Sequence, residues 1–96
     1  MKEYLLEKEF SEEEIETIIN NNPQEIIELL DKKEKLIKDN LDFLRDYGVV
    51  NYKDIFVKHA EIFLQEASIF KKTFTKYEKT DLIQKLQDNV DLIVLL

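Results

Sequence analysis

The side chains able to do chemistry in this sequence fall into three groups. Four carboxylates, Glu12, Glu13, Glu14 and Glu16, crowd into one short stretch. Such a cluster could in principle hold a divalent cation, but no Asp-x-Asp-x-Asp-Gly loop organises it, and the first turn of a solvated helix accounts for it far better. One histidine, His59, stands between Lys58 and Ala60. A lone imidazole excludes any site that needs two, and no nucleophile elbow or Gly-rich phosphate loop accompanies it. His59 is therefore read as a helix-end residue. Lysines gather at Lys32, Lys33, Lys35 and Lys38, and again at Lys71, Lys72, Lys76 and Lys79, the side chain that would meet phosphates. Cysteine is absent, which removes disulfides, thiolate metal sites and cysteine nucleophiles. The residue types lead away from catalysis and toward binding: no enzyme, no metal and no cofactor is expected.

Charge is distributed unevenly. The 96 residues carry 14 basic and 21 acidic side chains, a net of −7. Met1 to Asp31 holds ten acids against Lys2 and Lys8, a net of −8, so the remainder is close to neutral. Net acidity disfavours nucleic acid, yet the later lysine clusters keep that alternative open. No stretch is long and apolar enough to cross a membrane, and the acidic N-terminal stretch lacks the apolar run of a signal peptide, so a cytoplasmic protein is expected.

The elements that must position these groups read as helices. Ser11-Glu12-Glu13-Glu14 is a capping box, and Ile15, Ile18 and Ile19 follow at helical spacing before Asn20-Asn21-Asn22. Asn22-Pro23 restarts a helix with Asn22 as cap, and Asp31 to Glu34 offers a third cap of the same form. The next helix carries Leu36, Ile37, Leu41, Leu44 and Tyr47, and Gly48 closes it in the left-handed position. Asn51, Ser68 and Thr80 are read as further caps, with an interruption near His59-Ala60. Phe56, Phe63, Phe70, Phe74 and Tyr77 are expected in the core. One Gly and one Pro argue against a β-sandwich or barrel, and nothing reads as a strand. The expected fold is all-α: one domain, residues 1–96, as a short helical-repeat array or a bundle of about six short helices.

Self-comparison aligns Ile18 to Ile27 with Ile55 to Phe63 and Lys85 to Ile93, anchored at Pro23, Ala60 and Val90. The approximate units are residues 10–48, 49–77 and 78–96. With its Asn22-Pro23, Ile26-Ile27, Leu41, Leu44 and Gly48-Val49, this rhythm resembles the repeats of the mitochondrial transcription termination factor (mTERF) family. The resemblance is closest over Phe10 to Val49, and Pro and Gly are missing from the later copies. It implies a curved stack of three-helix units whose concave face, in the better known members, is basic and binds duplex nucleic acid. The matched positions are structural in that pattern, so no nucleic-acid contact transfers to this chain.

The function expected is a small acidic interaction module that binds a protein partner. Its candidate surfaces are Glu12, Glu13 and Glu16 in the acidic third, and Leu92, Leu95 and Leu96 in the apolar C-terminal run, which could also form a homodimer. One alternative is an mTERF-like nucleic-acid binder using Lys32, Lys35, Lys38, Lys71, Lys72 and Lys76. The other is an acidic inhibitor that mimics the charge of nucleic acid.

Overall fold

A computed structural model describes residues 1–96 as an all-α chain of seven α-helices and two 3-10 helices, with no strand. The first helix, α1 (Lys2–Glu7), adds to the helices legible from capping signals, because Met1 caps it with no side-chain bond. It holds its place by burying Tyr4 and Leu5, and the Tyr4 hydroxyl donates to the Leu30 carbonyl at 2.6 Å. α1 ends where Glu9 turns left-handed at φ 69°. The amides of Glu9 and Phe10 then bond back to the carbonyls of Leu6 and Leu5, a Schellman closure with Phe10 and Leu5 both in the core.

Helix α2 (Glu12–Asn21) starts on the expected capping box: Glu14 N donates to Ser11 Oγ at 3.0 Å and Ser11 N to Glu14 Oε1 at 2.8 Å. The next two joints depart from the capping pattern. Asn22 points backward, its Nδ2 donating to the Ile18 carbonyl at 2.8 Å, so Pro23 occupies the cap position of α3 (Gln24–Lys32). Satisfying an orphan carbonyl of α2 has taken the side chain that was to cap α3. Asp31 lies inside α3 and pairs with the Met1 ammonium, so it caps nothing, and only Lys33 separates α3 from α4 (Glu34–Tyr47). Gly48 closes α4 at φ 103° with the same Schellman bonds, Gly48 N to Arg45 O and Val49 N to Leu44 O.

The second half follows the same plan with different cap residues. Asn51 precedes α5 (Tyr52–Lys58) without capping it; its Nδ2 reaches the Leu86 carbonyl at 2.9 Å. A 3-10 helix, Ala60–Leu64, follows the break at His59. Glu66 rather than Ser68 stands at the start of α6 (Ala67–Thr75), and Glu78 rather than Thr80 caps α7 (Lys79–Asp88) by accepting from the amides of Thr80 and Asp81. A carboxylate can accept from both amides at once and favours the positive helix end, which a threonine hydroxyl does less well. Asn89 then caps the C-terminal 3-10 helix, Val90–Leu95, accepting from Asp91 N at 3.1 Å.

Pro23, Ala60 and Val90 each stand at the opening of a short second element, namely α3 and the two 3-10 helices. Every element contributes to one buried cluster, and all six phenylalanines form its spine. Phe10, Phe56, Phe63, Phe70 and Phe74 follow one another at centroid distances of 5.0 to 5.4 Å, in tilted and edge-on pairings that suit aromatic quadrupoles. Phe43 joins the spine from α4 at 6.2 Å from Phe70. One polar side chain sits fully within it: Asn40, 1% exposed, donates through Nδ2 to the carbonyls of Phe63 and Gln65 at 2.9 and 3.0 Å. The turn after the first 3-10 helix is thereby fixed to α4.

Candidate interaction surface

The C-terminal 3-10 helix is seated by three contacts: the Asn89 cap, the buried side chain of Ile93, and His59 Nε2 at 2.8 Å from Asp91 Oδ1. His59 is a strut between the end of α5 and this segment, as its helix-end position suggests. A 3-10 helix turns every three residues, so burying Ile93 directs its neighbours outward. Val94 is 56% exposed and Leu95 is 76% exposed. Between this segment and α7 lies a cleft of about 220 Å³ with an apolar lining of Tyr77, Leu82, Leu92, Leu95 and Leu96. On its rim Asp81 pairs with Lys85 at 2.9 Å, and the Glu78 carboxylate is engaged in capping α7.

The structure brings Leu92, Leu95 and Leu96 together along this one cleft, and adds Leu82 and Tyr77. Tyr77, expected in the core, is 39% exposed. The spacing of Phe70, Phe74 and Tyr77 suggests one continuous helical face, but α6 ends at Thr75, and the chain has turned before Tyr77 is reached.

The acidic candidates lie elsewhere. Glu12, Glu13 and Glu16 are exposed on α2, where Lys2 approaches Glu12 at 3.6 Å and Ile19 adds an exposed aliphatic side chain. Glu14 is separated from them in role by its bond to Ser11 N. No group of three or more His, Cys, Asp or Glu side chains is arranged to hold a metal ion.

The two lysine clusters differ in their surroundings. Lys35 donates to Asp39 at 2.8 Å, and that bond, followed by the carboxylate charge, raises its pKa. Lys38 lies 3.3 Å from Glu34 and 3.9 Å from Glu7; Lys32 is exposed and unpaired. In the second cluster, Lys71, Lys72, Lys76 and Lys79 enter no ion pair at all. Three of them stand over aromatic rings instead. Lys71 Nζ is 5.9 Å from the Phe43 centroid, Lys76 is 5.3 Å from Tyr77, and Lys79 is 4.7 Å from Tyr47. Lys71 also borders a depression between α4 and α6 lined by Asp39, Asp42 and Asp46. Those acids are engaged: Asp39 by Lys35, Asp42 by Lys8 at 2.6 Å, and Asp46 by Arg45 at 3.0 Å. Half of the first cluster, Lys35 and Lys38, is thus paired within the chain, and none of the second is.

The sequence matches no family model, and comparisons with curated proteins and with solved structures return no match. No helix is long and apolar enough to cross a membrane.

Proposed function

We propose that this protein is a small non-enzymatic helical module that binds a protein partner through its C-terminal apolar surface. The observation that carries the reading is Leu95 and Val94 standing exposed beside an apolar cleft, on a segment seated by Ile93, Asn89 and His59. Contiguous exposed aliphatic side chains beside a preformed hollow are what interaction hot spots are built from. The order of a helix, a short second element and, in the first two units, another α-helix, with Pro23, Ala60 and Val90 opening the short elements, supports kinship with mTERF-type repeats. Nucleic-acid binding through the first lysine cluster is favoured less, because Lys35 and Lys38 are already paired with carboxylates.

A photo-cross-linking residue placed at position 94 or 95 in the native cell tests this reading, with position 13 on α2 as the comparison. A discrete protein adduct at 94 or 95 is expected. No adduct at either position, from a chain shown to be folded and monomeric by sedimentation, would reject it. A second reading rests on α2, where the exposed Glu12, Glu13 and Glu16 suit an acidic mimic of nucleic acid. It requires the adduct at position 13 instead, with a partner that dissociates as salt rises.

A further inference from the structure

Granting the protein-binding reading above, the chemistry of the partner can be specified. We infer that the C-terminal cleft takes an acidic amphipathic helix of a partner protein, with aliphatic side chains in the cleft and carboxylates against Lys76 and Lys79.

Size comes first. The cleft, at about 220 Å³, is smaller than pockets that enclose a small molecule, which run to roughly 300–1,000 Å³. It suits side-chain anchors, as in a helix laid into an apolar groove. Charge then selects among helices. The two acids on the rim are engaged within the chain, Asp81 with Lys85 and Glu78 with the amides of α7. The neighbouring cations are not. Lys76 and Lys79 bracket Tyr77-Glu78 at the corner between α6 and α7, and their ammonium groups lie over Tyr77 and Tyr47 without a carboxylate partner. Held on aromatic faces, they are positioned at the surface yet keep their hydrogen-bonding capacity for an incoming anion. From Ala67 to Leu96, which includes both walls of the cleft, five lysines oppose four acids, a net of +1 in a chain whose total is −7. Charges farther than about 8 Å are largely screened at physiological salt, so the unpaired lysines at the corner beside Tyr77 weigh more on what docks here than the −7 of the whole chain. A basic partner would be drawn instead to the acidic first third.

Two synthetic helical peptides provide the test. Both carry Leu at i, i+3, i+4 and i+7; one has Glu at its flanking positions and the other Lys. Each is titrated into the isotope-labelled full chain and followed by amide NMR. The acidic peptide is expected to shift Tyr77, Leu82, Leu92 and Leu95, to bind severalfold more weakly as salt rises, and to lose about tenfold in affinity with Lys76→Glu/Lys79→Glu. Equal or tighter binding of the basic peptide at the same residues overturns the inference while leaving the cleft as a docking site. Dilution-dependent shifts at Leu92 and Leu95 with neither peptide bound would give the site to a second copy, and also overturn it. Duplex DNA that shifts the lysine amides and displaces the acidic peptide would do the same. Failure of both peptides to bind a strictly monomeric chain rejects the inference, whereas the photo-cross-linking result decides the broader reading independently.

Discussion

Replacing Asn40 tests most directly how α4 holds the turn after the first 3-10 helix. Its Nδ2 donates to two buried or part-buried carbonyls, of Phe63 at 2.9 Å and Gln65 at 3.0 Å, with sequence separations of 23 and 25 residues. Asn40→Ala removes two hydrogen bonds and strands both acceptors, a loss of about 2–4 kcal/mol. A chain of this length has roughly 5–14 kcal/mol in total, so the loss is a large share. In urea unfolding followed by circular dichroism, with a slope of about 2 kcal/mol/M, the midpoint falls by roughly 1–2 M. Asn40→Asp is the sharper variant, because at neutral pH it sets a buried carboxylate against the same two oxygens and must be less stable than Asn40→Ala. Burial and the facing carbonyls raise the folded-state pKa of that new carboxyl above its unfolded value near 3.9. A raised folded pKa means stability is greatest below about pH 4 and is lost as pH climbs through the folded value, so the deficit of Asn40→Asp shrinks in acid. Wild-type-like stability of Asn40→Ala to within about 0.5 kcal/mol, or equal stability of the two variants at pH 7, would refute this account of the contact.

Three further outcomes are expected. Burial first, then the charges of Glu34 and Asp31, push the Tyr4 phenol far above its ordinary value of 10.0, so its contribution is complete below pH 10 and is lost as pH rises beyond. Ultraviolet titration should therefore show one of the four tyrosines ionising only with unfolding, and Tyr4→Phe should abolish that delayed step. The two left-handed residues should respond oppositely. Glu9→Gly gains up to about 1 kcal/mol by relieving φ 69°, while Gly48→Ala loses about 1–2 kcal/mol at φ 103°, and urea melts decide both. At Gly48 the cause is backbone strain, since an added Cβ meets only Ile83 Cδ1, at 3.4 Å. Ser11→Ala breaks the capping box and costs about 1 kcal/mol in the same assay.

Local chemistry was readable where one residue settles its own neighbourhood. Ser11 and Glu14 cap α2 because both groups lie within one turn, and Gly48 closes α4 because only its backbone enters the left-handed region without cost. Where several polar groups compete for the same backbone, sequence proximity misleads. Asn22, Asn51 and Asp31 all look like caps, yet each has a stronger partner elsewhere, at Ile18, at Leu86 and at the Met1 ammonium. Glu9 carries no sign of its left-handed turn, which packing of Leu5 and Phe10 imposes.

The sequence by itself determined the all-α class, the aromatic core and the uneven charge, because periodicity, capping and composition act over a few residues. It also marked Leu92, Leu95 and Leu96 as apolar side chains in excess of a simple helical face. Only the tertiary structure decided that these leucines share a cleft with Tyr77 and Leu82, and that Lys35 and Lys38 of the first lysine cluster are paired while the second cluster stays free of ion pairs. The physical reason is range. Which cation meets which carboxylate, and which apolar side chain is left uncovered, depend on groups tens of residues apart whose distances are set only when the helices pack.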